Sequence, residues 1–579
     1  MKYPLISVLT VLTLALVSCN RGRHLDIYGT TDLHGMLLPF DNTEGVSTNR
    51  SLSNVASLVE SRGSENIVLL DNGDILQGDP LAYYYNFVDT SATHIVADIL
   101  NYLSYDAATA GNHDIETGHN VYDRVRSEYK FPLLAANAID INTGKPYFEP
   151  YTVIRKKGLK IIVFGLITPS VPNWLPESLY EGMRFDGMIE TARKWMPVMK
   201  EEKPDIIIGL FHSGFGREDN IEDDENSSLA VAVNVPGFDI VMCGHDHSQE
   251  NKTIKNVDGT SVLILDGGSR ASVLMHASVS FTKTSDGRTE KTLTGELIPM
   301  ETLAESPAFN ERYKNAGETL RKYTSEIIGR SNSSITTRDA YFGPSAFIDL
   351  IHQIQLEITG ADISFAAPLS FDERISKGDI LIRDMFRLYR FENFLYKVNM
   401  TGNEVDKYLE HSYGLWLNTM DSSDDYLLKY RTGDDNSPQL SNGMARLRNP
   451  SYNFDSAMGV SYTVDVTRPE GDRVTVSSLT DGSSFTPDST YTVAVNSYRA
   501  NGGGGHFNAA GITHTKLDSR IITATSRDLR HYMTEWIREK KEIDPAPHSD
   551  WKIIPEKWVS EARSREMKIL FNENQDVKQ

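Results

Sequence analysis

Short apolar runs, each ending on a polar cluster, recur through the first half of the chain. Leu25–Tyr28, Ile67–Leu70, Ala107–Ala110, Ile206–Leu210 and Ile240–Val241 read as strands, and Lys160–Thr168 and Val262–Asp266 complete the count for two sheets. Helical stretches alternate with them at Val55–Arg62, Thr93–Leu103 and Met188–Lys200. From about His24 to Met300 the pattern therefore predicts an α/β or α+β layered domain. Glu301–Gly329, rich in Glu, Lys, Arg and Ala with a glycine stop, predicts one long polar connector helix.

A second domain, Arg330–Gln579, is predicted to open with a helix over Ala346–Thr359. Its strands are expected at Leu395–Met400, Gly459–Val466 and Tyr491–Asn496, the last leading into the glycine run Gly502–Gly505. Such a run lets the backbone turn sharply or approach a ligand. Asp421–Asn442, dense in Asp, Ser, Asn and Gly, reads as a surface loop or insertion.

Residues Met1–Cys19 run from Lys2 through the apolar stretch Leu5–Val17 to Ser18-Cys19. That stretch is shorter than the roughly 20 residues a bilayer-spanning helix needs and reads as a secretory signal. Its ending resembles a bacterial lipobox, so Cys19 is expected to be the lipidated first residue of the mature chain. Lipidation would make the membrane contact an anchor only, in the cell envelope, periplasmic or at the outer membrane. Cys243 is then the one remaining cysteine, which excludes an intramolecular disulfide and reads as a buried structural thiol.

The 579 residues, 40% hydrophobic, suffice for two or three well-filled domains. A formal net charge of −21 without a basic stripe argues against a nucleic-acid polymer as partner. Small anionic substrates stay open, because a bound cation overrides the global sign locally.

The polar clusters carry the chemistry. Asp32-Leu33-His34, Asp74, Gly111-Asn112-His113, His212 and Gly244-His245-Asp246-His247 each follow an apolar run, at the strand C-termini where α/β sheets hold their ligands. Together they supply the donor set of a two-metal phosphoesterase. Two divalent ions about 3.5–4 Å apart activate a water and neutralise the phosphoryl oxygens. Mixed carboxylate and imidazole donors suit zinc, manganese, iron or cobalt better than calcium.

This constellation resembles the calcineurin-like metallophosphoesterases, and within them the bacterial 5′-nucleotidase/2′,3′-cyclic phosphodiesterase group. The resemblance implies a four-layer β-sandwich flanked by helices, joined by a long helix to a C-terminal α+β substrate-binding domain. It implies that Asp32, His34, Asp74 and His247 hold one metal and Asp74, Asn112, His212 and His245 the other, with Asp74 bridging. It makes His113 a catalytic group facing the substrate. The 5′-nucleotidase pattern has an aspartate three residues after this histidine, where this chain has Glu116, read either as its orienting partner or as a solvated side chain.

The second domain is expected to set specificity for a small nucleotide. On the residues alone Phe454 suits a core and Tyr498 a loop anchor; the resemblance assigns both to stacking on the nucleobase. Ala366-Ala367-Pro368-Leu369-Ser370, Leu388-Tyr389-Arg390-Phe391-Glu392-Asn393 and Gly502–Gly505 followed by His506 look like the 2′,3′-cyclic-nucleotide 2′-phosphodiesterase/3′-nucleotidase branch. A 5′-nucleotidase or UDP-sugar hydrolase, and a non-catalytic nucleotide-binding lipoprotein, are the alternatives.

Overall fold

The computed structural model describes residues 23–220, 225–284, 288–433, 437–441 and 443–571. The expected signal segment Met1–Cys19, with its lipidation site Cys19, lies outside the described residues. The strands of the two large sheets are, in chain order, β1 (Arg23–Thr30), β2 (Ile67–Asp71), β3 (Ala107–Thr109), β4 (Leu133–Leu134), β5 (Tyr151–Lys156), β6 (Leu159–Ile167), β7 (Ile206–His212), β8 (Ile240–Cys243), β9 (Gln249–Lys255), β10 (Ser261–Gly267), β11 (Val273–Lys283) and β12 (Thr289–Pro299). The first sheet has the order β12-β11-β1-β2-β3-β4 and the second β9-β10-β8-β7-β6-β5. Strands β1 to β4 are mutually parallel, as are β6, β7, β8 and β10, so their C-terminal ends gather at one rim.

The sheets stack face to face. Alternate residues of both, among them Ile27, Val68, Leu70, Val163, Ile208, Met242 and Leu265, form the buried layer between them. Each fully buried side chain of this kind contributes roughly 1.5–3 kcal/mol. The opposite face of the first sheet is covered by α1 (Leu52–Arg62) and α2 (Ile95–Leu103), and that of the second by α3 (Met188–Glu201). The result is a four-layer α/β sandwich. Ser51 caps α1 in a capping box with Asn54, which fixes where the chain enters that helix.

The expected connector is shorter than its composition indicates. Helix α4 spans Pro307–Thr324, with the Ser306 side chain accepting from Phe309 N–H at 3.0 Å and proline in its first turn. Phe309, Tyr313 and Leu320 bury its apolar face in the first domain, so the helix is part of that core. The chain then forms a strand, Ile327–Ser331, paired with Gly378–Leu381 and Glu542–Ile543. The second domain thus starts slightly before Arg330.

That domain carries α5 (Ala346–Thr359) against a five-stranded sheet made of β13 (Ile363–Ala366), β14 (Leu395–Thr401), β15 (Ser456–Met458), β16 (Thr490–Asn496) and β17 (Ile521–Ala524), in the order β15-β13-β16-β14-β17. Helix α6 (Gly402–Trp416) buries Tyr408, Tyr413 and Trp416 in a second, aromatic core. The two domains meet beside the metal-ligand rim. Tyr83 Oη donates to Asp528 Oδ2 at 3.0 Å, and Gln77 Nε2 donates to the Arg390 carbonyl at 3.2 Å. Among the described residues no helix is long and apolar enough to cross a membrane.

Candidate metal centre and substrate face

Strand ends deliver the donors. Asp32 follows β1, Asp74 follows β2, Asn112 follows β3, His212 closes β7, and His245 and His247 follow β8. To turn their side chains inward, Asp32, His34, Asp74, His245 and His247 all adopt positive φ, between 46° and 83°. Left-handed backbone costs a non-glycine residue roughly 1–2 kcal/mol, so the surrounding contacts must hold it. Asp114 does much of this: its carboxylate accepts from the amides of Asp74, Ile75, Leu76 and Gly111 at 2.8–3.0 Å. Glycine is required beside two ligands, since a Cβ at Gly111 would overlap Asp74 Oδ1 and one at Gly244 would overlap Thr31 Oγ1 and Asp32 Oδ2.

All seven expected ligands converge, in two clusters. In the first, His34 Nδ1 lies 3.1 Å from the Gln77 carbonyl, which places the proton on Nδ1 and the lone pair on Nε2. That Nε2 faces His247 Nε2 at 2.9 Å, and Asp32 Oδ1 lies 3.6 Å from the same His247 nitrogen. In the second, His212 Nδ1 meets the Asn72 carbonyl at 2.7 Å, which likewise turns the Nε2 lone pair inward. Asp74 Oδ2 and Asn112 Oδ1 each lie 3.1 Å from that Nε2, and His245 Nδ1 lies 2.7 Å from Asn112 Oδ1. Asp74 Oδ2 is buried and accepts no hydrogen bond. Three or more acceptors pointed at one spot are stabilised only by positive charge there. The carboxylates of Asp74 and Asp32 outweigh burial and push the His212 imidazole up to about 10, so a proton or a metal cation must fill that role. The donor set fits two divalent ions, one for Asp32, His34 and His247 and one for Asp74, His212 and His245, and such ions supply charge neutralisation and an acidified water.

His113 belongs to neither cluster. Its amide donates to Asp74 Oδ1 at 2.7 Å, and its Nδ1 lies 2.5 Å from Glu116 Oε2, whose carboxylate is almost wholly buried. Burial alone would lower the His113 pKa, but Asp74 and Glu116 overcome it and push it up to about 9. With Nδ1 tied to Glu116, Nε2 is the nitrogen left to exchange a proton with a substrate.

The aromatic pair differs from expectation. Phe454 is fully buried and lies parallel to Trp416 at 5.3 Å inside the second domain's core, so it has no face to offer a base. Tyr452, two residues earlier, is half-buried and meets Tyr498 edge to face at 6.1 Å. The segment was legible and the residue was not: of two aromatics two positions apart around a tight turn, sequence does not say which one faces outward. Beneath this pair Arg499 uses all five guanidinium donors on Asp455, Asn453 Oδ1 and the carbonyls of Gly503 and Tyr452. Asn501 Nδ2 lies 3.4 Å from the Trp174 carbonyl, and the Trp174 ring stacks on His245 at 5.3 Å, which brings the glycine loop against the metal-ligand rim. Asp114 and the Gln77 carbonyl hold ligands in place, roles that sequence reading did not assign.

Residues 25–249 match the calcineurin-like phosphoesterase family and residues 324–511 match the 5′-nucleotidase C-terminal domain. The chain is 29% identical over 94% of its length to the Salmonella typhimurium 2′,3′-cyclic-nucleotide 2′-phosphodiesterase/3′-nucleotidase, of which it covers 91%. It is 25% identical over 92% of its length to the Bacillus subtilis trifunctional nucleotide phosphoesterase protein, of which it spans 39%. A Staphylococcus aureus structure solved with alpha-ketoglutarate superposes with a TM-score of 0.74 at 21% identity, covering 92% of this chain and 99% of that one, which establishes a shared fold.

Proposed function

We propose that this chain, a calcineurin-like phosphoesterase carrying a 5′-nucleotidase C-terminal domain, opens 2′,3′-cyclic nucleotides and removes the remaining 3′-phosphate, releasing nucleoside and phosphate. The carrying observation is the pair of converging donor clusters with the His113–Glu116 pair alongside them. Each contributes to cleaving a phosphate ester, the first by charge and water activation and the second at the leaving oxygen.

The bound ions are zinc, manganese, iron or cobalt in this reading. His113 protonates the departing ribose oxygen, and Glu116 holds the ring so that Nε2 faces it. Tyr452 and Tyr498 form the platform for the base, where stacking contributes roughly 1–3 kcal/mol and tolerates any base. The branch assignment draws on the segments Ala366–Ser370, Leu388–Asn393 and Gly502–His506 and on the similarity to the Salmonella relative. Cys19 is the proposed lipid attachment point, which places the enzyme in the cell envelope; unaltered release of a Cys19→Ser form from membranes would contradict it.

The deciding measurement is phosphate release from 3′-AMP, 2′,3′-cyclic AMP and 5′-AMP with added manganese or cobalt. The first two are expected to be preferred. A clear preference for 5′-AMP overturns the branch, and ligand binding without release under any metal overturns hydrolysis altogether.

A further inference from the structure

The geometry points to Glu225 as a positioning residue that fixes the imidazole of His245 and so sets the strength of the second metal site; the inference rests on the two-metal reading above. His245 turns Nδ1 toward Asn112 Oδ1 at 2.7 Å, inside the cluster with Asp74 and His212. Its other nitrogen, Nε2, lies 2.9 Å from Glu225 Oε1. A neutral imidazole carries one N–H, so a lone pair on Nδ1 requires the proton on Nε2, and a carboxylate at Nε2 holds that tautomer. It also pulls the Nε2 proton toward itself and so raises the electron density of the ring, which makes Nδ1 a better donor to a cation.

His245 needs such support more than its neighbours do. Its backbone sits at φ 83°, and its amide is shared between Asp32 Oδ1 and Oδ2, both at 3.1 Å. His34 and His212 are oriented by main-chain carbonyls, of Gln77 and Asn72, which no side-chain substitution removes. His245 is oriented by a side chain instead, on a loop of the first domain whose charge also acts on the hydroxyls of Tyr452 and Tyr498 in the second. Glu225 is 49% exposed, so its loss leaves the core packing alone, and water takes its place without the charge. The effect is therefore selective: the second cluster weakens, and the cluster of Asp32, His34 and His247, which Glu225 does not touch, keeps its affinity.

The test is a manganese or cobalt titration of chelator-stripped full-length protein, followed by calorimetry and, for cobalt, by visible absorption. The unaltered chain is expected to take up two ions. In Glu225→Ala one of the two binding steps should lose roughly 10–100-fold in affinity while the other is unchanged. Glu225→Gln, which keeps an acceptor oxygen without the charge, should retain part of the difference. Two unchanged steps in Glu225→Ala, or equal weakening of both, overturn the inference while leaving the metal centre standing. No uptake by the unaltered chain overturns the metal centre itself, and this inference with it.

Discussion

Replacing Arg499 by Met is the sharpest probe of how the second domain holds its aromatic face. Arg499 and Asp455 are both nearly inaccessible, and they pair at 2.8 Å from Nε to Oδ2 and 3.2 Å from Nη2 to Oδ1. Tyr408 Oη also donates to Asp455. Burial alone would raise the Asp455 pKa, yet the Arg499 charge and the hydrogen bonds from Arg499 and Tyr408 hold it below the usual carboxylate value. Methionine matches the aliphatic stem of arginine but removes every donor. A buried carboxylate is then left with one hydroxyl, and the carbonyls of Tyr452 and Gly503 lose their partner. Breaking one side of a buried pair costs about 3–5 kcal/mol, so Arg499→Met should lower unfolding free energy by that amount. Asp455→Asn should cost a similar amount, because it strands the guanidinium instead.

The double variant discriminates this from mere loss of volume. With both charges gone, its loss should fall short of the sum of the single losses by at least about 1 kcal/mol. Urea unfolding followed by tryptophan fluorescence reads all three, with Trp416 reporting from the same core. The pH dependence has a definite sign. A carboxylate whose folded pKa is depressed contributes its full stability above the unfolded value of about 3.9, and that contribution is lost as pH falls through the lower folded value. The gap between unaltered protein and Asp455→Asn should hold from neutrality to about pH 5 and close in stronger acid. A loss under about 1 kcal/mol in Arg499→Met, or strictly additive singles, would refute the reasoning.

His113→Ala should lower turnover by roughly 10²–10⁴ while metal content, measured by elemental analysis, stays at that of the unaltered protein; loss of metal would make His113 a ligand. Phe454→Ala should cost about 3–5 kcal/mol of stability as a core cavity, read by thermal or urea unfolding. Tyr452→Ala or Tyr498→Ala should instead raise KM for nucleotides by an amount matching roughly 1–3 kcal/mol of lost stacking, with little change in stability. The reverse pattern would restore Phe454 to the base site.

The parts of this protein that were legible in the sequence share a cause. Strands such as Ile206–His212 are buried on both faces, so they appear as unbroken apolar runs, and ligands placed at their ends appear as polar clusters at the breaks. Helix α5 was legible to its ends because Ser345 caps one and Gly360 closes the other in the left-handed region. The connector misled because its polar composition continues past Thr324 into the central strand of a small three-stranded sheet, and only pairing with residues far away in the chain decides where the helix stops. The same holds for Gln77, Asp114 and Glu225. Beyond the contact of Asp114 with the Gly111 amide three residues back, none has a local signature, because the main role of each is to meet a backbone or ring delivered by another strand end.

The metal centre is held in shape from outside its ligands. Five of its seven ligands occupy backbone conformations that cost energy, a cost that Asp and His residue types reduce only in part. It is offset by neighbours: the Asp114 carboxylate on four amides, the Gln77 and Asn72 carbonyls on two imidazoles, and the glycines that leave room beside Asp74 and Asp32. Donors held this way do not wait for a cation to order them, so binding energy that a flexible site would use in folding is available for affinity and for polarising the phosphoryl group. Weakening a supporting residue should then show first in metal affinity and in pH dependence, and last in global stability. Glu225 and Arg499 mark the two extremes of that scale, one half-exposed on the rim and one sealed beneath Tyr452 and Tyr498.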